Sequence, residues 1–211
     1  MAILHRAELH PSKLDLISPW LNDQPWAYDS AEPWERVAAY RFDDPAGEVG
    51  VETMILRAGD GPELQVPLTY RGAPLAGAEA WLIGTSEHSV LGTRWFYDAV
   101  GDPVYAQVLA QAILAGGREA DLFFETQGVL EPTPGSAEVR GSGSEAIDDL
   151  AVHPVETTTQ GAVTTITTPA FELLLVRELG TGLPTRVLQT LTGTWETQPE
   201  SVLLAAVADR A

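Results

Sequence analysis

The strictest alternation in the chain lies at residues 64–70, where Leu64, Val66, Leu68 and Tyr70 are interleaved with Gln65, Pro67 and Thr69. A period of two predicts a half-buried strand. Pro67 has no N–H to give to a ladder, which predicts an edge position or a bulge. Segments 37–42, 49–57, 80–84 and 89–97 have similar strand character, with Val49, Val51 and Thr53 on one face of the second. Turn chemistry separates the first three strands, Asp43-Asp44-Pro45-Ala46-Gly47 and then Ala58-Gly59-Asp60-Gly61-Pro62. Five strands on short turns predict an antiparallel meander. Helical spacing appears twice. Ser12 is placed to cap a short helix over 13–17 that Pro19 ends. Asp102 and Pro103 open a longer one, as N-cap and first helical residue. Its apolar stripe is Val104, Val108 and Ala112 with Tyr105, Leu109 and Ile113, and Gly116-Gly117 stops it.

After residue 118 the pattern changes. GVLEPTPGSAEVRGSGSEAIDD, residues 128–149, is rich in turn formers and reads as a connector or hairpin tips. β-Branched residues on both sides of Gln160-Gly161 predict a hairpin. FELLLVREL at 171–179 is a nearly continuous apolar run and predicts a well-buried strand. TRVLQTLTGTW reads as a short helix or strand, and SVLLAAVA as a final strand. The composition shift divides the chain into 1–128 and a β-rich 129–211, two subdomains or one joined unit. No internal repeat is evident in the sequence. The fold class expected is α+β, a strongly curved antiparallel sheet with one main packed helix, followed by a strand-rich subdomain.

Composition narrows the function classes. At 211 residues and 45% hydrophobic the chain can bury a substantial core. No apolar run approaches the ~18–20 residues that span a bilayer. MAILHRAELH has too short an apolar stretch for a signal peptide. The absence of cysteine excludes disulfides, thiol nucleophiles and thiolate metal sites. A cytoplasmic protein is expected. The net charge of -18 repels phosphate backbones and anionic lipid, so nucleic acid and membrane are not expected partners; the acidity keeps the chain soluble or meets a basic protein. Lys13 is the one lysine among 12 basic residues. It is preceded by serine, not glycine, so there is no Walker A loop, and its place at a helix opening does not suit a kinase strand lysine or a Schiff base.

LHPSKLDLISPWL, VETMILRAGDGPELQVPLTYRGAPL and RWFYDAVGDPVYAQVLAQAIL together resemble the N-terminal cap of bacterial maltokinases, actinobacterial ones included, and related sugar kinases. The resemblance spans residues 4–116, and its most specific pieces are VPLTYR at 66–71 and the Tyr97-Asp98-Ala99 and Asp102-Pro103-Val104-Tyr105 steps. It implies a cystatin-like sheet with a packed helix, normally ahead of a kinase core, in trehalose, maltose or glycogen metabolism. Residues 129–211 resemble the first strands of a kinase small lobe, with GSGSE at 141–145 as the preceding loop. Matching Arg177 and Leu179 to the end of the strand that carries the nucleotide-holding lysine puts that lysine's position at Leu174. A large lobe, a His-x-Asp catalytic loop and an Asp-Phe-Glu/Gly metal motif are missing.

Several residues invite chemistry. Asp98 is a catalytic or ligand candidate, though an aspartate between a strand end and a Gly-Asp-Pro turn ordinarily bonds backbone N–H groups or an arginine. Gly141-Ser142-Gly143-Ser144-Glu145-Ala146 fits a loose G-x-G-x-x-A, but Asp148-Asp149 and Pro154 oppose the helix a dinucleotide site needs, so a plain turn is expected. Asp43, Asp44 and Glu48 are hard-cation donors set in a solvated turn. His5 and His10 fall on different helix faces, His153 stands apart, and His88 beside Glu87 is a surface acid–base candidate. Trp20, Trp26 and Trp34 offer flat faces for stacking on sugar rings, or they plug the end of a thin sheet. The reading is a non-catalytic cap-like interaction or regulatory protein, with no cofactor or metal. Its partner is a carbohydrate-metabolism enzyme or a second copy through sheet edges. The alternatives are an α-glucan-binding accessory protein, a remnant of a sugar kinase, or an enzyme using Asp98 and His88.

Overall fold

The computed structural model describes residues 2–4, 8–126, 129–145, 150, 152, 155–183 and 187–209. His5, His153, Ala146, Asp148-Asp149, Pro154 and the boundary at residue 128 lie outside them. The strands, in chain order, begin with β1 (Ala2–Leu4), β2 (Leu9–His10), β3 (Trp34–Phe42), β4 (Gly50–Ala58), β5 (Leu64–Arg71), β6 (Leu82–His88) and β7 (Gly92–Asp98). They continue with β8 (Leu122–Thr126), β9 (Val129–Thr133), β10 (Ala137–Gly141), β11 (Glu156–Gln160), β12 (Val163–Thr167), β13 (Glu172–Val176), β14 (Gln189–Trp195) and β15 (Gln198–Ala208). The helices are α1 (Lys13–Asn22) and α2 (Pro103–Leu114). Among the described residues, no helix is long and apolar enough to cross a membrane.

Ser12 caps α1 as its sequence suggests. Its hydroxyl accepts the Asp15 N–H while the Asp15 carboxylate accepts the Ser12 N–H, a reciprocal capping box. Pro19 does not end the helix, which runs on to Asn22. The lost hydrogen bond and ring clash cost about 3 kcal/mol. Ile17 and Leu21 are fully buried, and each such burial contributes about 1.5–3 kcal/mol, so packing overrides the local signal. The second helix follows expectation: Asp102 accepts the Val104 N–H, Pro103 sits in the first turn, and Gly116 follows the end at φ +64°.

The architecture is α+β, mostly antiparallel and strongly curled. Its first sheet is not a simple meander of five strands. It has six, in the order β2-β6-β7-β5-β4-β3: β3, β4 and β5 meander, then the β6–β7 hairpin docks with β7 beside β5. Pro67 is therefore inside the sheet, yet its missing N–H is harmless. The β7 pairing covers only 68–71, and residues 63–65 turn instead to the second half, with Gln65 N–H donating to Arg177 O and Leu179 N–H to Glu63 O. Pro67 lies in the gap between the two partners.

Residues 128–149, read above as a connector or hairpin tips, contain two further strands. β9 pairs with β8 in a small sheet that β1 joins in parallel. β10 is the edge of a second six-stranded sheet, because Ala137, Val139 and Gly141 alternate inward while Glu138 and Arg140 face out. The Gln160-Gly161 hairpin forms, the apolar run becomes β13, and 189–195 is a strand. This sheet has the order β10-β14-β15-β13-β12-β11. Read in chain order, β2 to β7 and β10 to β15 take the same places in their sheets, an equivalence the sequence conceals.

α2 lies between the two sheets. Tyr105, Val108, Leu109 and Ile113 share one continuous core with Tyr40, Val51 and Ile55 of the first and Ile166, Leu173, Leu175, Leu191 and Leu204 of the second. The helix is consequently buried on more sides than a single stripe predicts. The apolar face of β5 looks the other way: Leu64, Val66 and Leu68 pack under α1 with Met54, Trp26 and Trp34. Both faces of β5 are buried, and Gln65, on its polar face, is fully inaccessible. At the outer edge of the first sheet, Ser136 Oγ accepts the Ala39 N–H at 2.8 Å and bonds Ala39 O at 3.2 Å, and Ala120 N–H reaches Arg41 O.

Lys13 joins α1 to this sheet through the buried Glu52 carboxylate, which also accepts Arg41 at 3.1 Å and the Tyr70 hydroxyl at 2.8 Å. Burial alone would raise the Glu52 pKa, but Lys13 and Arg41 outweigh it and hold the group at about 2. The folded-state value lies below the ordinary 4.5, so the stabilisation is present above that pH and is lost as pH falls towards 2. We expect Glu52 to contribute roughly 3 kcal/mol at neutral pH. Urea titrations between pH 7 and pH 2.5 should show this acid limb flattened in Glu52→Gln, which should also be less stable at pH 7. An unchanged limb refutes the assignment.

Candidate functional site

Arg177, at the end of β13, carries a fully buried guanidinium into the first half of the chain. Its Nη2 donates to Asp98 Oδ2 at 2.6 Å and its Nε to the Thr164 hydroxyl at 2.9 Å. The guanidinium carbon lies 4.5 Å from the centroid of the Trp26 ring. Trp20 meets Trp26 edge to face at 5.8 Å. Three of the four candidate residues, Asp98, Trp26 and Trp20, thus belong to one chain of contacts assembled by an arginine. The fourth, Trp34, stands on the same α1-covered face but packs on Tyr28, 5.0 Å away.

Access differs among them. Asp98, Trp26 and Trp34 are each 6% exposed, whereas Trp20 is half-buried. One face of Trp26 is covered by Arg177 and its neighbour Trp20 supplies an edge, the preferred aromatic geometries for a cation and a second ring. Asp98 presents one oxygen to Arg177; Oδ1 and Arg177 Nη1 are buried without a hydrogen-bond partner among the described residues. Chemically the junction is a desolvated ion pair stacked on an indole. The sequence signal for Arg177 was its place at the end of the apolar run, but its partner 79 positions away in the chain could not be read.

The motif residues nearby bind one another. Arg71 makes a two-pronged pair with buried Asp102, Nε to Oδ2 at 2.8 Å and Nη2 to Oδ1 at 2.7 Å, while Asp102 still caps α2. The Tyr97 hydroxyl accepts the Leu75 N–H. VPLTYR and the Asp-Pro turn are distant in the sequence and clipped together in space.

The remaining candidates resolve locally. Asp44 accepts the N–H groups of Ala46, Glu48 and Val49, which directs its carboxylate to the turn backbone. Among the described residues there is no cluster of three or more potential metal ligands. His88 Nδ1 accepts the Val90 and Leu91 N–H groups, and His10 is exposed beside Glu8. The glycine loop caps a helix end: Gly143 N–H donates to Ile113 O and Glu145 N–H to Leu114 O. Glycine is required there, since a Cβ on Gly141 or Gly143 would lie 1.9 Å from the carbonyl oxygens of Ala112 or Leu114. Lys13 is held by Glu52, and burial lowers its pKa more than that carboxylate raises it. Leu174 is 3% exposed and packs with Val163 and Ala208.

Comparison with known proteins gives one family match. Residues 20–102 match the maltokinase N-terminal cap domain, so the resemblance holds over a narrower span than 4–116. The matched span holds Trp20, Trp26, Trp34, Asp98 and both members of the Arg71–Asp102 pair. No curated protein matches the chain.

Removing one member of a buried pair strands the other, a loss of about 3–5 kcal/mol. Asp98→Ala should therefore be strongly destabilised in urea, and the double variant with Arg177→Met should recover part of the loss. Additive losses would mean that the two side chains do not couple. Gly143→Ala should lose about 1–3 kcal/mol through the clash at the helix end; wild-type stability would exclude the close approach.

Proposed function

We propose that the chain is a non-catalytic interaction or regulatory protein built on a cap-like domain and associated with maltose, trehalose or glycogen metabolism. The observation that carries this reading is the cap match over residues 20–102. Its side chains favour holding over transforming. Arg71, Asp102, Asp98 and Arg177 are bound to one another in pairs, and Lys13 is bound to Glu52. The partner we infer is a cytoplasmic enzyme of α-glucan metabolism, with a homodimer through sheet edges as the self-association mode. In the same reading the first sheet with α2 is cystatin-like, and residues 129–211, although their sheet repeats that strand order, resemble in sequence a kinase small-lobe fragment with Leu174 in place of the phosphate-gripping lysine.

A second reading, an α-glucan-binding accessory protein, draws on Trp20, which is half-buried against Trp26 while the other candidates, Trp26, Trp34 and Asp98, are buried. Three measurements test these readings, the first common to both and the other two separating them. Incubation of the purified chain with ATP, magnesium and maltose should yield no sugar phosphate. The tagged chain should retain an α-glucan enzyme from its own cell extract at defined stoichiometry, and failure to form such a complex with the purified candidate enzyme defeats the first reading. A saturable change in tryptophan fluorescence with maltooligosaccharides, lost in Trp20→Ala, would establish the second instead.

A further inference from the structure

A cleft of about 270 Å³ opens on the outer face of the second sheet, where β10 and β14 run beside the segment after α2. We propose that it binds a small neutral, hydroxyl-rich molecule, of the size of one or two sugar rings. The inference is independent of the cap match, because every residue of the cleft lies outside residues 20–102.

The walls are built in register. Glu138 stands opposite Thr194 and Arg140 opposite Thr192, and Arg118 bridges to Arg140 from the other side. Ser201 of β15 completes the surface, where the ladder shifts register between Gly193 and Trp195. Such irregularities re-aim side chains and locally part the strands. One wall is fixed in advance: Glu119 accepts the Val139 N–H at 2.8 Å and lies beside Arg118, whose other nitrogen holds Asp121 at 2.8 Å. The opposite wall is uncommitted. Among the described residues, neither Glu138 nor Arg140 has an ion-pair partner, although both face outward two residues apart.

Charge and size choose the ligand class. Arg118 and Arg140 balance Glu119 and Glu138, and Asp121 adds a further negative charge at the rim, within a chain of net charge -18. A phosphate or carboxylate ligand gains little in such a field. Carboxylates that accept, guanidinium groups that donate and hydroxyls that do both are the complement of adjacent sugar hydroxyls. The cleft, of about 270 Å³, lies just below the usual range of small-molecule sites, roughly 300–1,000 Å³, which suits a ligand on the scale of a sugar ring.

The test is a titration of the full ¹⁵N-labelled chain with glucose and maltose up to about 50 mM, a range suited to millimolar affinity. The expected result is saturable shifts of the Arg140, Thr192 and Thr194 amides. Glu138→Gln and Arg140→Ala, both at exposed positions, should weaken binding at least about tenfold with the far-ultraviolet spectrum unchanged. Glucose 6-phosphate and glycine serve as anionic and zwitterionic comparisons. Shifts confined to either comparison, sugar shifts at the Trp20 indole instead of this face, or no saturable sugar shift each overturn the proposal. None of these outcomes bears on whether the chain forms a complex with an enzyme.

Discussion

At the centre of the contact between the two halves is the side chain of one glutamine. Gln65 donates from Nε2 to Val176 O at 2.8 Å and to Leu204 O at 2.9 Å, while its Oε1 accepts the Tyr40 hydroxyl at 2.8 Å. Its own N–H goes to Arg177 O, so both of its side-chain N–H bonds and its main-chain donor are satisfied from across the junction. A fully buried amide is costly when unpaired, and here it is paired on every side. That requirement aligns β5 with the end of β13 and brings Arg177 within reach of Asp98 and Trp26. The shared core around α2 fills the space that this alignment leaves.

Around that joint, charged groups act as brackets. Arg71–Asp102 fastens a strand end to a helix start, Asp98–Arg177 fastens one sheet to the other, and Lys13–Glu52 fastens α1 to its sheet. Each makes the position of one element conditional on another. The residues most specific to the cap pattern are therefore those whose geometry is most determined. This is why a motif so distinctive speaks to shape before it speaks to chemistry.

Local signals were legible where local chemistry decides. The Ser12 and Asp102 caps, the Gly116 stop and the Gln160-Gly161 turn all follow from neighbours in the chain. Pro19 and Pro67 misled because their penalties are settled elsewhere, by buried Ile17 and Leu21 and by a change of strand partner. Gln65 looked like a solvent-facing residue because alternation reports which positions differ, not what covers each face. The strands within 128–149 were hidden by glycine and proline, yet those glycines exist to let a loop touch the end of α2. Of the candidate site, the tryptophans and Asp98 could be named, but their organiser could not, since an arginine's destination is a tertiary fact. The equivalence of the two sheets was invisible for the same reason: strand order leaves no trace in residue identity.

Ser136 has a consequence for how the molecule behaves in a crowd. By bonding both the N–H and the C=O of Ala39, its hydroxyl imitates the neighbouring strand that β3 lacks. An intruding peptide finds the ladder already occupied near its midpoint, so the hydroxyl adds to the exposed charges of Glu35 and Arg36 in obstructing the stacking of chains into fibrils through that border.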